Sequence, residues 1–125
     1  MRKKVIISAI DLYLIDKVRE LRISSTPPIS DEELSLGIGH PKSFIGSIEK
    51  FDNVYSIRQI NLITNYFKIS FFDLFPHKTI TDDLLDLEIE FFAISPTNVE
   101  IDKYGSVIKN YRILSGRIIP SEETV

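Results

Sequence analysis

Between Ile10 and Arg22, apolar residues fall at Leu12, Ile15, Val18 and Leu21, the spacing of one helix face, with Asp11 placed as its N-cap. Thr26-Pro27-Pro28 ends that pattern, because proline lacks an N–H and pushes its predecessor out of the α region. Ser30 and Glu33 then stand as a capping box before a short helix with Leu34 and Ile38 on one face. Gly39 closes it, and Pro41 suits the first turn of a third helix whose inner face is Phe44, Ile45 and Ile48. A loop through Phe51-Asp52-Asn53 leads to a second capping box, Ser56 with Gln59. It opens a helix with Ile57, Ile60, Ile63 and Phe67 inward. Ser70 and Asp73 repeat the device for a fifth helix, stopped by Pro76.

The period changes after about residue 80. Leu85, Leu87, Ile89 and Phe91 alternate with Asp86, Glu88 and Glu90, which predicts a strand. Pro96 interrupts it, Asp102-Lys103-Tyr104-Gly105 predicts a hairpin turn after Val99 and Ile101, and Val107 to Leu114 reads as the returning strand. The expected organisation is a helical domain over 1–78 and an acidic β-hairpin extension over 79–125, a possible dimerisation element.

Composition narrows the chemistry. A chain of 125 residues with 43% hydrophobic and 26% charged residues supports a folded core rather than wholesale disorder. The absence of cysteine excludes disulfides, thiolate-ligated metals and a cysteine nucleophile. The net charge of −3 is uneven: residues 1–78 carry +2 and residues 79–125 carry −5. Arg2, Lys3 and Lys4 precede the apolar run Val5 to Ile10, but Asp11 and Asp16 interrupt it and no cleavage motif follows, so a secretory leader is not expected. No run approaches the ~18 apolar residues of a membrane span, and the expected location is the cytoplasm.

Gly37-Ile38-Gly39 lacks the preceding strand of a phosphate-binding loop, and no serine sits in a nucleophile elbow. His40 reads as a turn residue, His77 has no matching ligand, and Asp86, Glu88 and Glu90 read as the solvated face of a strand. Neither enzymatic activity, a cofactor nor a metal is expected.

The segment from Ser30 to Glu49 has the order of a helix-turn-helix, whose second helix enters the major groove. Val18-Arg-Glu-Leu-Arg22, Ser30-Asp-Glu-Glu-Leu34, Ile38-Gly39, Ser43-Phe-Ile45 and Ile48-Glu49 together resemble the Cro/repressor, or xenobiotic-response-element, helix-turn-helix family. Ile60-Asn-Leu-Ile63, Tyr66-Phe67, Ile69-Ser70 and Asp73-Leu-Phe75 extend the resemblance, which covers about residues 10–76. It implies a mainly α fold: a five-helix, lambda-repressor-like DNA-binding domain, here with a small β-rich C-terminal extension.

The resemblance also implies roles. Lys42, Ser43 and Ser47 fall where the family contacts bases, with Gly46 leaving room between them. Ser30, Lys50, Asn53 and Tyr55 fall where it contacts phosphates. Arg22 and Glu49 occupy the positions of a structural ion pair. Asp31 stands where the family commonly carries glutamine, and it sets a carboxylate beside the expected phosphate. The expected function is a sequence-specific DNA-binding transcriptional regulator acting by operator occupancy. Its expected partners are double-stranded DNA and a second copy of the chain. The alternative is a protein-interaction module on the same scaffold, such as an antitoxin-like or assembly partner.

Overall fold

In the computed structural model, which describes residues 1–92 and 110–120, the chain begins with a strand, β1 (Arg2–Ser8). Val5 and Ile7 turn into the core while Arg2, Lys4 and Ile6 face solvent. Four α-helices follow: α1 (Ala9–Ser24), α2 (Asp31–Gly37), α3 (Phe44–Glu49) and α4 (Ile57–Phe67). A single 3-10 turn (Phe71–Leu74) precedes β2 (Leu84–Phe91) and β3 (Tyr111–Ile118). The three strands form one antiparallel sheet in the order β1-β2-β3.

This corrects the expectation of a mainly α, five-helix domain. The missed element is β1, which pairs with β2 from Arg2 opposite Glu90 to Ser8 opposite Leu84. Its alternation is concealed because the outward Ile6 is itself apolar, so Val5 to Ile10 reads as a continuous run. The expected fifth helix has only four residues between its cap and Phe75, and it closes as one 3-10 turn. Its capping box is nonetheless present: Ser70 Oγ accepts from Phe72 N, and the Asp73 carboxylate accepts from Ser70 N at 3.0 Å.

The other caps vary in how closely they follow the pattern. Ser56 and Gln59 form the full reciprocal box, with bonds of 2.9 and 3.2 Å. Helix α1 is capped by Ser8, which accepts from Asp11 N, so Asp11 lies in the first turn rather than at the cap. At α2, Ser30 accepts from Glu33 N, while Asp31 rather than Glu33 supplies a second local carboxylate bond, to Glu32 N.

One core joins both parts. Ile15, Val18, Leu34, Ile45, Ile48, Ile60, Ile63 and Leu74 fill the space between the helices, and Val5, Ile7, Leu87 and Ile89 continue it under the sheet. β2 behaves as its alternation predicts, with Leu87 and Ile89 buried. The predicted returning strand is displaced toward the C-terminus, running from Tyr111 to Ile118. The predicted hairpin turn at 102–105, with Val99, Ile101 and Val107, lies outside the described residues.

Because Ile89 is fully buried and Ile6 is 65% exposed, their truncations separate cleanly. Ile89→Ala is expected to cost about 2–5 kcal/mol in urea unfolding, and Ile6→Ala to stay within about 0.5 kcal/mol. Ending the chain after Pro76 removes the partner of β1 and is expected to lower the melting temperature.

Candidate nucleic-acid interface

Helix α2 ends in a tight turn. Gly39 adopts a φ of +78°, its N–H donates to Leu36 O, and His40 N donates to Ser35 O. The turn brings α3 across α2, and a buried hydroxyl holds the two together. Ser35 Oγ donates to Asp31 O at 2.7 Å and accepts from Ile45 N at 2.9 Å. It thereby satisfies one of the four N–H groups that the start of α3 leaves without a helical partner. Ser35 is fully buried, so this bond forms away from competing water.

The far end of α3 is fixed by charge. Arg22 grips Glu49 with a two-pronged contact, Nε to Oε2 at 3.0 Å and Nη2 to Oε1 at 2.5 Å, and its Nη1 donates to Ile29 O at 3.0 Å. The expected Arg22–Glu49 pair is therefore present, and it belongs to a larger cluster. Arg19, fully buried, places Nε 3.5 Å from Glu49 Oε1 and donates from Nη1 to Asp16 at 2.9 Å. The Tyr111 hydroxyl donates to the Asp16 carboxylate, 2.9 Å from both oxygens, and its ring lies 5.4 Å from the Arg19 guanidinium. Two carboxylates thus balance two guanidiniums, and β3 is tied to the same charges that orient α3.

A second tie reinforces the first. Lys3 of β1 donates to Lys50 O at 3.0 Å and pairs with Asp52, while Phe51 packs edge-on against Tyr111 with centroids 5.0 Å apart. The loop after α3 is therefore pinned by the sheet.

The expected base-contacting residues separate into two kinds. Lys42 and Ser43 are exposed and lie in the turn just before α3, which begins at Phe44. Ser47 is half-buried, and its hydroxyl donates to Phe44 O at 2.7 Å. Gly46 leaves room, but the space belongs to Asp31: a Cβ at Gly46 would stand 2.7 Å from Asp31 Oδ2.

Of the expected phosphate contacts, Ser30, Lys50 and Asn53 are exposed. Tyr55 does not fit its expected role. Its side chain is buried beside Phe44, and its hydroxyl makes no hydrogen bond among the described residues. Tyr55 is a core residue because the chain entering α4 turns its ring under α3, where no phosphate reaches. Sequence reasoning also missed Ser35, Arg19 and Tyr111, none of which stands in a local pattern that marks it as buried and bonded.

Burial holds both tyrosine hydroxyls protonated. It raises the Tyr55 pKa well above 10, with the Glu49 charge adding to the effect. Burial likewise raises that of Tyr111, reinforced by the charge of Asp16 and opposed by Arg19. Comparison with protein-family models, curated proteins and solved structures finds no match for the chain.

Two outcomes follow from this cluster. Arg22→Met leaves Glu49 buried without its strongest partner, and chemical denaturation is expected to show a loss of about 3–5 kcal/mol. The tyrosines keep their protons in the folded state but ionise near pH 10 when unfolded. Their contribution is thus full below pH 10 and is lost as pH rises beyond it. Stability measured from pH 8 to 11.5 is expected to fall at the alkaline end, and less steeply in Tyr111→Phe.

Proposed function

We propose that the chain is a sequence-specific DNA-binding regulator of the Cro/repressor type, acting in the cytoplasm by occupying an operator. The observation that carries this reading is the exposed Lys42-Ser43 turn leading into α3, a helix held by two buried clamps, Ser35 at Ile45 and Arg22 at Glu49. A recognition element must arrive at the groove in one orientation, and these clamps supply it without using any exposed side chain. Lys42 then donates to base edges, with guanine O6 and N7 the matching acceptors, while Lys50, Ser30 and Asn53 set register on the phosphates. One such element reads few base pairs, so two copies on a two-fold site, about one helical turn apart, complete the recognition.

A second reading is favoured by one feature. The Asp31 carboxylate lies over α3 at Gly46, and Glu32 and Glu33 follow it in the first turn of α2, so the start of α2 carries three successive carboxylates. An acidic surface on a helix-turn-helix suits a protein partner, antitoxin-like or an assembly component, better than a polyanion.

Titration of three variants by fluorescence anisotropy separates the two. Lys42→Ala is expected to cost roughly 1–3 kcal/mol on a preferred duplex and little on random duplex. Lys50→Ala is expected to weaken both and to lower the salt slope by about one unit. Asp31→Gln removes a repulsive charge and is expected to tighten binding. If all three leave DNA binding unchanged with the fold intact, the protein-partner reading replaces this one.

A further inference from the structure

A cleft of about 290 Å³ lies where the end of α1, the start of α2, the end of α3 and the paired ends of β2 and β3 meet. That size is near the lower limit for ligand pockets and restricts an occupant to a small molecule. The buried Arg22–Glu49 pair forms part of the wall, and its two charges satisfy each other. Two lining charges remain. Asp31 and Lys50 have no ion-pair partner among the described residues.

The neutral polar groups of the wall are also incompletely matched. Asp31 Oδ1 accepts from Glu32 N at 3.0 Å, whereas Oδ2 accepts no hydrogen bond among the described residues. Gly46 lets that second oxygen rest against α3, since a Cβ there would stand 2.7 Å from it. Phe92 N donates to Asn110 O at 2.9 Å and holds the strand ends together beside the cleft. The Asn110 amide donates from Nδ2 to Glu49 O at 3.5 Å, and its Oδ1, shielded from solvent, has no donor among the described residues. An acceptor left in that state costs free energy, so a donor arriving at this wall is favoured.

Two acceptors thus lack donors, one ammonium lacks an anion, and Ile23 and Phe92 add apolar surface. A simple anion meets Asp31 and Glu49 here, and a simple cation meets Lys50 and Arg22. A small molecule that carries one charge of each sign suits the lining better than either. We propose that this cleft binds a free amino acid with an apolar side chain. Its ammonium donates to Asp31 Oδ2 and the Asn110 side-chain carbonyl, its carboxylate accepts from Lys50, and its side chain lies against Ile23 and Phe92. The site goes beyond the DNA-binding reading and does not depend on it.

The test uses the full chain without DNA, so its outcome is separate from that of the DNA-binding reading. Titration of isotope-labelled protein with L-leucine is expected to give saturable shifts in the amide resonances of Asp31, Gly46 and Asn110. Two partial probes separate the ends of the ligand. Leucinamide keeps the ammonium and isocaproate keeps the carboxylate, and each is expected to bind about tenfold more weakly than leucine. Asp31→Asn retains an oxygen to accept from Glu32 N. It is expected to weaken leucine about tenfold and to leave isocaproate unchanged. Lys50→Gln is expected to weaken leucine to the same extent and to leave leucinamide unchanged. Circular dichroism checks that both variants keep the fold. The proposal is overturned if neither leucine nor phenylalanine gives saturable shifts, if the shifts lie away from the cleft, or if either substitution leaves leucine binding unaltered.

Discussion

Glu49 is a buried carboxylate at the end of a helix of only six residues, and the architecture around it follows from the need to neutralise it. Two guanidiniums from successive turns of α1 converge on it, and Asp16 and Tyr111 complete the cluster from the other side. A charge in a poorly solvated site is tolerable when opposite charges stand beside it, and here they do, although Arg19 Nε and Nη2 make no hydrogen bond among the described residues. Consequently α1, α3 and the third strand are interdependent, although more than sixty residues of sequence separate Glu49 from Tyr111. Helix α3 is too short to be stable alone. Its position comes from these charges, from Ser35 and from the apolar contacts of Ile45 and Ile48.

The consequence is a division of labour between faces. Residues that orient α3 are buried, and those free to meet a ligand, Lys42, Ser43 and Lys50, are not needed to hold the fold. Asp31 crosses that division. It caps the amide of Glu32, passes its main-chain carbonyl to Ser35, and also places a carboxylate over Gly46. Its structural bonds explain why a carboxylate there is compatible with the fold, and its position explains why it bears on any anionic ligand.

Legibility in the sequence followed the range of the interaction. The boxes at Ser56 and Ser70, the turn at Gly39 and the alternation of β2 depend on residues within four positions of each other, and each formed as expected. The Arg22–Glu49 pair was legible only through resemblance, because nothing local joins a residue of α1 to one of α3. β1 was concealed by its outward Ile6, and its partner lies some eighty residues downstream. Tyr55 illustrates the remaining difficulty. Its place in the chain beside Asn53 suggests an exposed loop, but the turn into α4 directs its ring into the core.

Repeated enrichment of bound duplexes from a random pool tests most directly the proposal that the surface formed by α2 and α3 reads DNA sequence. The account predicts convergence on an inverted repeat whose half-site centres lie about one helical turn, 34–36 Å, apart. Recovery of a pool no different in sequence from the starting one would contradict it.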